Sequence, residues 1–187
     1  MAFQNQLMGV LIFNFSIPVP LRIILALIPS AGEYAVCNDR NFLEQAIALA
    51  AANLAQGGRP FGAVLVRDGT LISAASNQMH LSHDPTAHAE LLCIRQASQL
   101  LASNRLTGCV IYASGQPCPM CLSAMHLCGI SRVVFAAANA DAEPFGLSTT
   151  EAYQQLCLPL AEQRICIEHM AHHAVPALYQ RWHAQHV

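Results

Sequence analysis

His88-Ala89-Glu90 and, further along, Pro117-Cys118-Pro119-Met120-Cys121 are the stretches around which this chain is organised. A histidine two residues ahead of a glutamate, followed by two cysteines three apart, is the ligand set of a catalytic zinc with an acid/base beside it. Three protein ligands leave the fourth tetrahedral position open, which separates a catalytic zinc from a closed structural one. His88 falls in the first turn of one helix and Cys118 and Cys121 at the start of another, where unpaired backbone N–H groups favour thiolate over thiol. Pro119 suits the first turn of that second helix. His88 and Glu90 lie on different faces of a regular helix. At a helix start, however, one can hold a metal while the other leans over the open position.

The rest of the composition bounds what such a site can serve. At 187 residues the chain is long enough for one well-buried domain. The apolar fraction is 54% and the charged fraction 11%, which excludes disorder. Net charge is -2, and all nine basic residues are arginine. A protein that grips polyphosphate carries a basic stripe, so this balance argues against a nucleic-acid partner and for a small uncharged substrate. Of the eight cysteines only Cys118 and Cys121 have metal spacing. Most of the others sit in apolar runs and read as small buried hydrophobes, in a reducing, cytoplasmic compartment without disulfides.

Residues 1–36 form an apolar extension. Pro18 and Pro20 interrupt a membrane-spanning helix, and no basic residue precedes the apolar run as a secretory signal requires. No membrane association is expected; an upstream extension is the first reading and a weak membrane or partner segment the second. The folded domain is expected over residues 38–187. Asp39 is placed to cap a helix running through Asn53. Phe61 to Arg67 and Thr70 to Ser76 read as two strands joined by the hairpin dipeptide Asp68-Gly69. Helices near Thr86 to Leu101 and over Pro119 to Cys128 alternate with strands over Cys109 to Ser114 and Arg132 to Ala137. A loop over Asp141 to Thr150, a helix over Glu151 to Leu158, a strand over Arg164 to Met170 and a helix over Ala174 to Gln185 complete the chain. This order predicts an α/β fold, a three-layer α/β/α sandwich on a mixed five-stranded sheet.

Weighed singly, a lone histidine is most often a core or solvent residue, and a lone CxxC is often redox-active or structural. A structural zinc would need a fourth ligand, and His126 and Cys128 on the second helix are the nearest candidates. The full set in its Pro-Cys-Pro-Met-Cys context favours the catalytic reading.

From about Asn38 to the C-terminus the chain resembles the cytidine deaminase superfamily, and within it the nucleobase deaminases that include guanine deaminases. The residues that carry the resemblance are Pro60-Phe61-Gly62-Ala63-Val64, Asn77, Asp84-Pro85-Thr86-Ala87-His88-Ala89-Glu90, Pro117-Cys118-Pro119-Met120-Cys121-Leu122 and Phe145-Gly146-Leu147-Ser148. Gln116 departs from the glutamate that many relatives carry there. The resemblance implies one zinc held by His88, Cys118 and Cys121, with Glu90 moving protons during hydrolytic loss of an amino group. It also implies a substrate held by Asn77 and the Ala89 N–H, with Phe61 either stacking on the ring or filling core. A second acid is expected downstream, with Glu151 the candidate and Asp141 and Glu143 its competitors; Glu151 as a plain helix-start charge is the competing explanation. Guanine is the expected substrate and a homodimer the expected assembly. The alternatives are a tRNA adenosine deaminase, an ammeline (amino-triazine) or cytosine deaminase, and a zinc-stabilised scaffold without activity. Residues 165–187 hold one arginine and five histidines, whereas an RNA-binding C-terminus would be basic.

Overall fold

The computed structural model describes residues 31–186. The expected apolar extension therefore lies outside the described residues as far as residue 30. Helix α1 (Ala31–Ala55) is followed by strands β1 (Gly62–Arg67) and β2 (Thr70–Ser76), then by the single turn α2 (Met79–Ser82) and helix α3 (Ala89–Leu100). Strand β3 (Cys109–Gly115), helix α4 (Pro119–Cys128) and strand β4 (Arg132–Ala137) complete the central unit. The short α5 (Asn139–Ala142), α6 (Thr150–Leu156) and the terminal α7 (Val175–His186) follow.

The sheet order is β2-β1-β3-β4, with β1 antiparallel to both neighbours and β3 parallel to β4. Arg67 pairs with Thr70 across a two-residue turn in which Asp68 and Gly69 both have positive φ, 51° and 73°. That is the turn an Asp-Gly dipeptide favours, because its twist matches that of the strands. Strand β1 is buried on both faces, so it lacks the polar alternation of a half-exposed strand. Ala63 and Leu65 face a core shared with α3 and α4, which supply Leu91, Cys93, Ala97, Cys121 and Met125. Val64 and Val66 face Phe42, Leu43 and Leu49 of α1. The result is helix, sheet, helix. Burying each such side chain contributes roughly 1.5–3 kcal/mol relative to exposure.

Two expectations are corrected. The helix does not start at Asp39: the chain is already helical at Ala31, the first described residue, and Asp39 lies within the helix. The Asp39 carboxylate instead accepts hydrogen bonds from the Tyr112 hydroxyl (2.6 Å) and the Arg132 guanidinium (2.9 Å), tying α1 to β3 and β4. The sheet has four strands among the described residues, not five. Arg164 to Met170 is not a strand. Its first N–H donates to the Gln155 side chain (2.7 Å) and the Arg164 guanidinium pairs with Glu151, so the segment is tied to α6 rather than to the β4 edge. Ile165 and Ile167 of that segment are exposed. No helix among the described residues is long and apolar enough to cross a membrane.

One end of the sheet collects the start of β1, the end of β2 and the carboxyl ends of β3 and β4. Phe61, Asn77, Gln116 to Cys118 and Ala138 to Asn139 all emerge there.

Candidate metal centre and substrate pocket

Strand β3 delivers Pro117-Cys118 to the start of α4, and the Asn77–Ala87 loop delivers His88 to the start of α3. His88 and Cys118 are each the N-cap of their helix, with extended backbone (ψ 150° and 166°), and Pro119 follows as first helical residue. Both side chains therefore leave their helices at the ends, and the two ends converge. His88 Nδ1 lies 3.5 Å from Cys118 Sγ and 3.7 Å from Cys121 Sγ, and the two sulfurs are 3.5 Å apart. With Zn–S of about 2.3 Å and Zn–N of about 2.0–2.1 Å, a tetrahedral face has edges of about 3.8 Å (S to S) and about 3.6 Å (S to N). The three donors match one face of that tetrahedron. Among the described residues no fourth side chain joins them: Cys128, one of the candidates, turns its thiol to the Met125 carbonyl.

The chemistry of the donors agrees with the spacing. Cys118 is held well below the ordinary thiol range, first by its hydrogen bond with Cys121 and then by that with His88, while burial opposes the shift. Cys121 moves upward, chiefly through its hydrogen bond with Cys118 and then through burial. His88 is raised, mainly by its hydrogen bond with Cys118. A divalent cation bound by the three groups would replace the protons shared among them. Glu90, in the first turn of α3, is buried at 7% exposure and is not among the three donors. Burial pushes its carboxyl up, as a proton-transferring acid requires.

Beside these groups lies a cavity of about 210 Å³, bordered by His88, Glu90, Cys118, Asn77 and Phe61. Asn77 is buried and held from several sides. Its N–H donates to the Phe61 carbonyl (2.9 Å), and its carbonyl accepts from the Asn53 amide (2.8 Å). Its side-chain Oδ1 accepts from the Met79 N–H (3.2 Å). A backbone N–H can only donate, so the atom facing it is the oxygen and the NH2 group is the end left for the cavity. The Phe61 ring packs against Gly115, where a Cβ would come within 3.0 Å of it. Ala89 is the first residue of α3 and is buried. Its N–H belongs to the first turn, where no intrahelical acceptor exists.

The two downstream acids are placed differently. Glu151 is 69% exposed, is paired with Arg164, and borders an adjoining apolar groove rather than the cavity. Asp141 borders the cavity mouth, its carboxylate accepting the Ala138 N–H (2.8 Å). Glu143 borders neither.

The sequence reading missed Arg59, Asn139 and Thr149, which also border the cavity, and took Gln116 only as a departure. Gln116 Oε1 accepts the Asn139 N–H (3.1 Å), and Asn139 Oδ1 accepts from the Thr149 N–H (3.2 Å) and hydroxyl (3.3 Å). Tyr153 of α6 donates to the Pro117 carbonyl (2.6 Å), beside a metal donor. In sequence these are ordinary loop and helix residues. Only the fold brings them together.

Comparison with known proteins agrees with this geometry. The family model of the cytidine and deoxycytidylate deaminase zinc-binding region matches residues 37–137. Guanine deaminase of Bacillus subtilis (strain 168) is 40% identical over 129 residues, 68% of this chain and 83% of that protein. A tRNA-specific adenosine deaminase of Aquifex aeolicus is 41% identical over 96 residues, 51% of this chain and 64% of that protein. The X-ray structure of the Bacillus subtilis guanine deaminase superposes with a TM-score of 0.73 at 36% identity, covering 78% of this chain and 93% of that one.

Proposed function

We propose that this chain, which belongs to the cytidine and deoxycytidylate deaminase zinc-binding family, hydrolytically deaminates a free purine base, converting guanine to xanthine and ammonia. The observation that carries the reading is the small cavity beside the donors, bordered by buried Glu90 and by the Asn77 amide. At about 210 Å³ it is below the roughly 300–1,000 Å³ of pockets for drug-sized ligands, which suits a base better than a base with its sugar attached. Similarity to a guanine deaminase over 83% of its length supports the same choice.

His88, Cys118 and Cys121 would hold the zinc, which when bound would supply Lewis-acid activation of water. Glu90 takes one proton from the attacking water and passes it to a ring nitrogen, then takes the second proton from the hydroxyl of the tetrahedral adduct and hands it to the amine, which leaves as ammonia. Its burial keeps that proton from exchanging freely with solvent. The Asn77 NH2 donates to an acceptor on the ring, Phe61 lies along one face of the base, and the Ala89 N–H adds a donor at the start of α3. For the second acid, Glu151 reaches the centre only along the adjoining groove, while Asp141 stands at the cavity mouth. Glu151→Gln and Asp141→Asn, assayed together, decide between them.

The similarity to tRNA-specific adenosine deaminases supports a second reading. Ammonia release from zinc-loaded protein, measured with guanine, adenine, cytosine, ammeline, the corresponding nucleosides and tRNA, separates the two. Release from guanine is expected. Release from tRNA alone refutes the free-base reading, and no release from any of them refutes the enzyme. We take the assembly to be a cytoplasmic homodimer, which light scattering tests; exposed Leu178, Tyr179 and Trp182 on α7 support the pairing of subunits.

A further inference from the structure

Asn53 lies at the end of α1, away from the metal donors and outside the cavity lining, yet it is 4% exposed. A buried amide without partners is costly, and both protons of this one are used. Its Nδ2 donates one proton to the Arg59 carbonyl (2.7 Å) and the other to the Asn77 carbonyl (2.8 Å). Its own backbone carbonyl accepts the N–H groups of Gln56 (3.0 Å) and Gly58 (2.9 Å), closing the turn that leads to Arg59. Arg59 and Asn77 both border the cavity, and they come from segments that are remote in sequence.

The surroundings leave the amide one position. A Cβ on Gly58 would lie 2.5 Å from Asn53 Nδ2 and 2.5 Å from His80 Cε1, so the backbone of residue 58 presses directly on both side chains. His80, in the turn just after Asn77, packs its ring there with both nitrogens buried and unpartnered among the described residues. The Asn53 amide thus lies against the backbone of residue 58, on which the His80 ring also packs, while its two protons hold the two loops.

We propose that Asn53 is a positioning residue for the substrate wall: by holding the Arg59 and Asn77 carbonyls at once, it fixes the angle at which the Asn77 amide meets the base. The inference rests on the reading of Asn77 as a substrate contact. Asn53 touches neither base nor metal, so it acts on binding geometry and leaves the proton chemistry of Glu90 alone. An interaction made equally with bound base and transition state appears in KM and not in kcat.

The test is a double-mutant cycle with guanine as substrate, reading KM, kcat, zinc content and melting temperature. Asn53→Leu keeps the size and removes both donors. KM is expected to rise about tenfold, with kcat within about threefold of wild type and zinc retained. In the Asn77→Ala background the same substitution is expected to add less than a twofold change, because the group it orients is gone. Asn53→Gln, which keeps two donors, should restore part of the lost affinity. Should Asn53→Leu fail to fold, Gly58→Ala replaces it in the same cycle, since its methyl group displaces the amide without deleting it. An equal effect of Asn53→Leu with and without Asn77, or a lowered melting temperature with unchanged KM, overturns the proposal. Wild-type protein that turns over no base overturns the functional reading first, and this inference with it.

Discussion

Gly62 is a point of close approach between α1 and the sheet, and replacing it with alanine tests the packing that places the site. A Cβ there would lie 2.3 Å from the Ala46 carbonyl oxygen, 2.7 Å from the Ala50 nitrogen and 2.7 Å from the Leu49 Cβ. Comfortable carbon–oxygen contact is about 3.3 Å, so helix and strand must separate by about 1 Å. The obstacles at Ala46 and Ala50 are backbone, which cannot rotate aside. A gap of 0.5–1 Å forfeits roughly a quarter to a half of each dispersion contact across it. Those contacts join Phe42, Leu43 and Leu49 to Val64, Val66 and Tyr112. The cost falls near the top of the usual overpacking range, about 3 kcal/mol. With a urea m-value of about 2 kcal/mol/M the unfolding midpoint drops by about 1.5 M. Gly57→Ala is the control. It has φ of +82° and nothing within 4 Å of a new Cβ, so it bears only backbone strain of about 1 kcal/mol and a midpoint loss of about 0.5 M. A midpoint for Gly62→Ala no lower than that of Gly57→Ala refutes the close approach, and with it the placement of Asn53 by α1.

Two further outcomes are expected. Glu90→Gln should lower kcat on guanine by about 10²- to 10⁴-fold with zinc content intact. Its melting temperature should not fall, because the substitution removes a carboxyl that burial already disfavours in its charged form; turnover within a few-fold of wild type would show that Glu90 carries no proton. Asp39, held below its ordinary value chiefly by the hydrogen bond from Arg132, contributes stability that is present above that value of 3.8 and lost as pH falls through the lower folded value. Asp39→Asn should therefore cost about 0.5–1 kcal/mol at pH 7, a modest figure for a partly exposed pair, and the difference from wild type in urea titrations should close in acid; a deficit constant down to pH 2.5 would point to shape rather than charge.

What the sequence made legible follows from how local each signal is. The donors were readable because zinc demands a few residue types at short spacing, and His88, Cys118 and Cys121 lie as that chemistry requires. Helix α4 was readable at both ends: Pro119 opens it, and Gly129 closes it with φ of 82°. The Asp68-Gly69 hairpin was readable from two residues. The fifth strand misled because alternation says which way side chains point, not which strand the backbone joins, and the Arg164 N–H is taken by Gln155. Asp39 misled in the same manner, as a good capping residue whose partners, Tyr112 and Arg132, are far along the chain. Asn53 was invisible as anything but a helix end, because its role consists of two carbonyls that only the fold brings within reach.

The same distinction separates the chemistry of the site from its selectivity. The metal donors are fixed by the ends of two helices packed on a common core, where Cys121 and Met125 are almost wholly buried. The residues that border the cavity on its other side sit on connecting segments: Phe61 before β1, Asn77 after β2, and Asn139 and Thr149 after β4. Three of them are held by hydrogen bonds, Asn77 by Asn53, Asn139 by Gln116, and Thr149 by Asn139. Connecting segments tolerate change that packed helix ends do not. A site built in this way can exchange one base for another by altering those hydrogen bonds while the donors and Glu90 stay in place. On the reading proposed above, the cavity border tied down by Asn53 and Gln116 is where the choice of base is made.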